Sequence, residues 1–260
     1  GDLDVLVRKN DFRKAHQVLI DNGYIMKFRS PLEEDNLESA ERNGGAEYSV
    51  NLSSGRHLWF ELQWRPIAGR WIRPDQEPSA DALISRSIPI QNSYTRLLCA
   101  EDNLLQVALH TAKHTYVRAP GFRLHTDVDR VVRSMKIDWE KFIKEVVRIE
   151  VKTSVYLSLA LAKFLLRSPI PDFVLDSLKP GKFKTKVLVT WLTRVGLFDP
   201  DEKKWSRFGY ILFVCLLYDN FFGLAKGIFP NQKTIRAYYP EAKNKPIVYL
   251  YFVRIVDLVK

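Results

Sequence analysis

The chain has 260 residues, of which 46% are hydrophobic and 27% charged, and this ordinary globular composition excludes a disordered or low-complexity chain. The length predicts one large or two medium domains. Two cysteines are too few for a disulfide scaffold or a zinc ribbon, which favours a reducing, cytoplasmic location. A net charge of +10 favours an anionic partner, such as a nucleotide, a nucleic acid or a membrane surface.

The first third of the chain has the pattern of an α+β unit. Apolar residues alternate in GDLDVLV, the period of a half-buried strand. The predicted elements are, in chain order, this strand, a helix from its N-cap Asp11 to Asn22-Gly23, a strand over Tyr24 to Phe28, a surface loop or short helix over Ser30 to Gly45, and a β-hairpin of Ala46 to Leu52 with His57 to Trp64.

The rest of the chain changes to helical periodicity. Residues 66–89 are rich in Pro, Arg and Trp and are predicted to form an irregular linker. Apolar spacing then predicts helices over Glu101 to Val117, Asp127 to Met135, Trp139 to Ile149, Val151 to Leu166, Phe183 to Val195, Trp205 to Gly223 and Ile247 to Val259. We therefore predict an α+β fold with a small mixed-sheet domain, 1–95, followed by a mainly helical domain, 96–260. The longest apolar run is far shorter than the roughly 20 residues that span a bilayer, so no membrane partner is expected.

Three acidic residues are the first candidates for chemistry. Asp2 and Asp4 are two apart on a predicted strand, so their carboxylates point to one face and repel unless a cation lies between them. Mg²⁺ prefers such oxygen ligands. Glu61 is the acid of an otherwise apolar strand, FELQW, and a shared metal would give it a partner. Solvated strand ends with unrelated acids are the alternative interpretation.

The order of these and later motifs resembles a known superfamily. A strand with two acids, preceded by Gly, and a third acid on a later strand are similar to the DNA polymerase β-like nucleotidyltransferases. The chain more closely resembles the uncharacterised bacterial nucleotidyltransferases that join this fold to a helical C-terminal domain. The matching stretches are GDLDVLV, the pattern Asp11, Ala15, Leu19 and Gly23-Tyr24, FELQW at 60–64, LLQVALHTAKH at 104–114, LHTDVDRV at 124–131, IFP at 228–230, and Ile235-Arg236 with Tyr239-Pro240.

The resemblance implies a two-metal nucleotidyl transfer. Asp2 and Asp4 would hold Mg²⁺, or Mn²⁺, on a nucleoside triphosphate, and Glu61 would complete the second metal site. Glu61 would also help to activate an acceptor hydroxyl for in-line attack on the α-phosphate, with pyrophosphate leaving. The acceptor is open: a small metabolite, an antibiotic, a peptide or a protein side chain.

The chain departs from the family pattern at two places. Gln63 stands where the family has a histidine. The superfamily's glycine-rich turn, which cradles the phosphates, should precede Asp2, and Gly44-Gly45 lie in the wrong place to replace it. We therefore expect the natural protein to extend upstream of Gly1 by a strand, a glycine-containing turn and a helix.

The helical domain offers a second group of candidates. His110 and His114 are four apart on one helical face, with Lys113 beside them, and are predicted to line the nucleotide or acceptor cleft with Lys113 on phosphate. Zinc binding and a packed helix interface are the alternatives. Asp127 and Asp129 are predicted either to cap the next helix or, for Asp129 by the family resemblance, to belong to the site, with His125 nearby.

Two other interpretations of function remain open. A non-catalytic nucleotide- or nucleic-acid-binding protein on the same fold is the main alternative, although three retained carboxylates favour an enzyme. A small-molecule phosphotransferase is less favoured, because no kinase glycine loop is present. The stretch Arg65 to Arg73, with Trp64 and Trp71, predicts either a binding site for an anionic or aromatic ligand or a loop folded over its own tryptophans.

Overall fold

The computed structural model describes residues 2–29, 35–68, 71–196 and 204–259, with the backbone alone at positions 2 and 259. Cα packing divides the chain into a sheet unit, Gly1–Ala68 with Glu77–Leu97, and a helical unit, Gly69–Gln76 with Leu98–Lys260. The predicted α+β class with a helical C-terminal part is confirmed.

A small mixed sheet forms the centre of the sheet unit. Its described strands are β1 (Asp2–Leu6), β2 (Ile25–Met26), β3 (Gly45–Asn51) and β4 (His57–Gln63). The strand order is β1-β4-β3-β2, with β1 parallel to β4 and the other pairs antiparallel. The predicted hairpin is β3 with β4, and the strand predicted over Tyr24 to Phe28 is shorter, Ile25–Met26.

One face of this sheet carries the core of the unit. Alternate residues of β3 and β4, among them Tyr48 and Leu62, are buried against Phe12 of helix α1 (Phe12–Asp21) and Ala40 of helix α2 (Leu37–Asn43). Because side chains alternate across a strand, the residues between them point to the opposite face. Every second residue of β4 therefore packs in this core, and the residues between them face away from it.

Helix α2 ends where the chain must turn sharply into β3. Gly44 has φ of 112°, a left-handed conformation that favours glycine, and a Cβ there would lie 2.6 Å from the Cβ of Arg65. The Gly44-Gly45 pair therefore ends a helix and begins a strand. This placement accounts for both glycines without a phosphate.

The segment predicted as an irregular linker contains regular structure. A helix, α3 (Ala80–Arg86), begins at Ser79, whose hydroxyl accepts a hydrogen bond from the backbone N–H of Ala82 at 3.2 Å. A two-stranded ribbon follows, β5 (Ile88–Pro89) with β6 (Arg96–Leu97). The prediction was wrong here because the dense prolines of 66–89 obscure the N-cap signal of a helix only two turns long.

The helical unit contains ten described α-helices. They are α4 (Ala100–Lys113), α5 (Arg123–Ser134), α6 (Trp139–Arg148), α7 (Lys152–Leu166), α8 (Asp172–Leu178), α9 (Lys182–Val195), α10 (Arg207–Leu217), α11 (Phe221–Ile228), α12 (Gln232–Tyr238) and α13 (Ile247–Val259). Helices α4, α5 and α7 pack on one another around fully buried residues such as Leu104, Val128 and Leu159.

Several predicted helices have different bounds in the structure, among them the one predicted over Asp127 to Met135, which runs from Arg123 to Ser134. The helix predicted over Glu101 to Val117 ends at Lys113, and the one predicted over Trp205 to Gly223 is divided into α10 and α11. The Asn220 side chain caps α11 by accepting a hydrogen bond from the N–H of Gly223 at 2.7 Å. In the part of the chain that the structure describes, no helix is both long and apolar enough to cross a bilayer.

Candidate active site on the sheet

Asp4 and Glu61 lie directly opposite each other on neighbouring strands. In the parallel pairing of β1 with β4, Asp4 is the partner of Glu61, and Asp2 is the partner of Trp59. Neighbouring strands are about 4.8 Å apart, and residues in register share a face of the sheet. The two carboxylates therefore share the face opposite the core residue Leu62.

A third acid, which the sequence patterns did not indicate, extends this row of residues. Glu47 of β3 is the partner of Glu61 in the antiparallel β3–β4 pairing. The hairpin turn in the sequence could have indicated Glu47. The turn at Gly55 pairs Asn51 with His57, and this register also pairs Glu47 with Glu61. Asp4, Glu61 and Glu47 thus form one row across three strands, here called the acidic row.

Arg29 joins two members of the acidic row. The carboxylate of Glu47 accepts hydrogen bonds from the Arg29 backbone N–H at 2.7 Å and from its Nε at 3.0 Å. The Nη2 of the same guanidinium donates to Oε1 of Glu61. No periodicity or motif in the sequence indicates that Arg29 contacts these acids. It lies beyond the end of β2, and only the tertiary fold brings it to Glu47 and Glu61.

Two further side chains complete the surroundings of Glu61. Gln63, two residues along β4, donates from Nε2 to Oε2 of Glu61 at 2.8 Å. The Arg29 guanidinium lies over the ring of Trp59, 5.4 Å from its centroid. The Glu61 side chain is only 21% exposed, so Arg29 and Gln63 compensate a carboxylate that has lost much of its water.

The chemistry of this face fits a hard divalent cation. Asp4 is exposed, and its partner Glu61 brings a second carboxylate to the same face. The side chain of Asp2 lies outside the described residues, and among the described side chains no group of three or more His, Cys, Asp or Glu is arranged to hold a metal. Two carboxylates suit Mg²⁺, which usually takes its remaining ligands from water and substrate phosphates.

The predicted residues of helix α4 lie together at its C-terminal end. His110 and Lys113 are exposed, and the rings of His110 and His114 have their centroids 4.7 Å apart. Burial, followed by the nearby His110, Lys113 and Arg118, lowers the pKa of His114 to about 3. The described residues offer these histidines no third metal ligand.

The depressed pKa of His114 predicts a loss of stability in acid. The unfolded chain binds this proton near pH 6.5 and the folded chain only near pH 3, so the free energy of unfolding falls as the pH drops below 6.5. Between pH 7 and pH 5 we expect a loss of about 2 kcal/mol from this group. Urea denaturation followed by helical circular dichroism at both pH values measures it.

Two variants isolate the contribution of His114. His114→Gln should lose less stability than the wild type between the two pH values, whereas His57→Gln, at the exposed start of β4, should lose as much as the wild type. An unchanged pH dependence in His114→Gln would contradict the assignment.

Asp129 is held by neighbours in the helical unit. Its carboxylate accepts hydrogen bonds from Nε of Arg133 at 2.8 Å and from Oγ of Ser168 at 2.6 Å. Arg133 also donates to the carbonyl oxygens of Leu166 and Arg167, both at 3.1 Å. These contacts connect α5 to the end of α7.

The capping role considered for Asp127 and Asp129 is wrong. Helix α5 begins at Arg123 with Phe122 at the N-cap position, so both acids lie inside the helix. His125 is fully buried on the same helix, where its Nε2 donates to the carbonyl oxygen of Tyr116 at 2.9 Å.

Two arginines of the predicted ligand-binding stretch, Arg65 and Arg73, form internal ion pairs, and Arg70 lies outside the described residues. Arg65 pairs with the buried Glu77 at 2.5 Å, and Arg73 pairs with Asp75 at 2.9 Å and with Glu150 at 2.8 Å. Their charge is therefore largely satisfied within the protein, which favours the interpretation of this stretch as a folded loop.

Comparison with known proteins adds one finding. A family model described as "Uncharacterised nucleotidyltransferase" matches residues 1–167, well over half of the chain. The match includes the strands that carry the acidic row and the helices that carry His110, Lys113, His114 and Asp129. No curated protein and no solved structure matches the chain.

Proposed function

Because the chain belongs to this family of uncharacterised nucleotidyltransferases, we propose that it transfers a nucleoside monophosphate from a nucleoside triphosphate to an acceptor hydroxyl, with Mg²⁺ or Mn²⁺ as cofactor. The observation that carries the proposal is the pairing of Asp4 with Glu61 on parallel strands. It gives two in-register carboxylates on a sheet face that the core does not use.

The residues of this face would divide the chemistry between them. Asp4 and Glu61, with Asp2, would hold the cation. When bound, the cation would neutralise charge on the phosphate oxygens and on the leaving pyrophosphate. The acceptor oxygen forms a bond to the α-phosphorus as the bond to pyrophosphate breaks, and a carboxylate such as Glu61 takes the hydroxyl proton. Most of the rate would come from positioning and charge neutralisation.

The residues of the helical unit would have supporting parts. The exposed Lys113 and His110 suit contact with phosphate or acceptor, whereas His114, uncharged at neutral pH, would offer only a hydrogen bond. The contacts of Asp129 with Arg133 and Ser168 support a structural role for that carboxylate.

A second candidate function, nucleotide binding without turnover, is favoured by one observation. Arg29 brings a positive charge to Glu61, which is where the proposed cation would act. Because Arg29 balances the charge of Glu61, the fold is stable without a metal at this position. A protein that only binds a nucleotide would need no catalytic cation there.

Label transfer separates the two functions. The protein is incubated with α-³²P-labelled nucleoside triphosphates, Mg²⁺ and a small-molecule extract as the source of acceptors. We expect labelled products and pyrophosphate in equal amounts, and neither when EDTA is present. Nucleotide binding that is independent of Mg²⁺ and releases no pyrophosphate would support the non-catalytic function instead.

A further inference from the structure

The helical unit contains a cavity of about 60 Å³ that is partly open to solvent. A cavity needs only roughly 10–15 Å³ to admit one water molecule, so this one accepts a larger group. Ile72, Leu109, Val214 and Leu217 supply much of its apolar lining. The cavity lies entirely within one unit, and the acidic row belongs to the other.

Two buried polar groups of the lining lack an internal partner. In the portion of the chain with described coordinates, neither the indole Nε1–H of Trp71 nor the hydroxyl of Thr115 makes a hydrogen bond. Thr115 is only 1% exposed and lies two residues after the end of α4, with φ of 50°. An unpaired buried polar group costs free energy, and a ligand that accepts from these donors removes that cost.

The described lining of the cavity carries a positive charge. Lys113 is the only ionisable side chain of Asp, Glu, Lys, Arg or His type among the described lining residues. Arg118 adds a second positive charge nearby, since its guanidinium lies 5.8 Å from the ring centroid of the lining residue Tyr210. A negatively charged ligand is therefore favoured over a cation of the same shape.

We infer that this cavity is a binding site for a small organic anion with an apolar ring. The ring occupies the space between the aliphatic side chains, and the anionic oxygens accept hydrogen bonds from Trp71, Thr115 and Lys113. All three are hydrogen-bond donors, which is the arrangement that a carboxylate or phosphate ester requires. This inference does not rest on the nucleotidyl transfer proposed for the acidic row.

Benzoate is a suitable probe, with benzylammonium as its cationic counterpart. Both are titrated into ¹⁵N-labelled full chain while the tryptophan indole resonances are followed, and Trp71→Phe identifies the Trp71 signal. We expect benzoate to shift that signal with a Kd of about 1 mM, the weak affinity typical of so small a ligand. Benzylammonium should leave it in place.

Paired variants test the named contacts. Lys113→Met, at an exposed position, should weaken benzoate binding about fivefold, and Lys113→Arg should restore it. Thr115→Val should weaken binding several-fold, whereas Thr115→Ser, which keeps the hydroxyl, should bind as the wild type does.

Two results would overturn the inference: an unshifted Trp71 indole signal at about 10 mM benzoate, or equal binding by wild type and Lys113→Met. Asp4→Asn should bind benzoate normally, so that failure of the transferase proposal can be told apart from failure of this one.

Discussion

Replacing Asp4 with Asn should lower the rate of nucleotidyl transfer by about 10³-fold or more. The substitution keeps the size of the side chain but removes its negative charge, which lies opposite Glu61 on the neighbouring strand. Because carboxylate charge would hold the proposed cation, loss of the Asp4 charge removes several kcal/mol of transition-state stabilisation. Pyrophosphate release at saturating Mg²⁺ measures the rate, and Mg²⁺-dependent nucleotide binding by calorimetry measures the affinity.

Two companion variants make this test specific. Glu61→Gln should show a loss of similar size, because it removes the partner carboxylate. Asp21→Asn, on the exposed end of α1 in the same unit, should retain wild-type activity. All three should keep the wild-type circular dichroism spectrum. Turnover that survives in Asp4→Asn would refute the assignment of the acidic row.

Replacing Arg29 with Gln should destabilise the sheet unit by about 2 kcal/mol, less than the 3–5 kcal/mol typical of breaking a fully buried pair. Glu47 and Glu61 are direct cross-strand partners, and without the guanidinium their like charges oppose each other. Their side chains are only 19% and 21% exposed, so water screens this repulsion incompletely. Thermal unfolding measures the loss.

A divalent cation should reverse part of this loss. If Mg²⁺ binds at the acidic row, it supplies the positive charge that Arg29 no longer provides, so Mg²⁺ should raise the Tm of Arg29→Gln more than that of the wild type. Arg56→Gln, in the exposed hairpin turn, is the control and should respond as the wild type does. An equal response in Arg29→Gln and wild type would argue against a cation at Glu61.

The local patterns of the sequence predicted much of the sheet unit. Alternating apolar residues identified β1 and β4, and the Ser53-Ser54-Gly55 turn identified the hairpin between β3 and β4. These signals depend only on neighbours along the chain, because strand alternation and turn conformation are local properties. For the same reason, the alternation along β4 is enough to assign Glu61 to the face opposite Phe60 and Leu62.

Other features have a weak local signal in the sequence or none. Helix α3 escaped detection because two turns carry little periodicity, and α10 and α11 were joined because their apolar residues continue past the cap at Asn220. No local signal indicates that Arg29 reaches Glu47 and Glu61, or that Trp71 and Thr115 line one cavity.

The sequence by itself determined which residues carry charge, which positions alternate toward a core and where most helices lie. The tertiary structure alone decided that β1 runs parallel to β4 with Asp4 opposite Glu61, and that Arg29 bridges Glu61 to Glu47. The physical reason is that register between strands distant in sequence follows from the burial of whole faces, such as Tyr48 and Leu62 against Phe12, and not from any one segment.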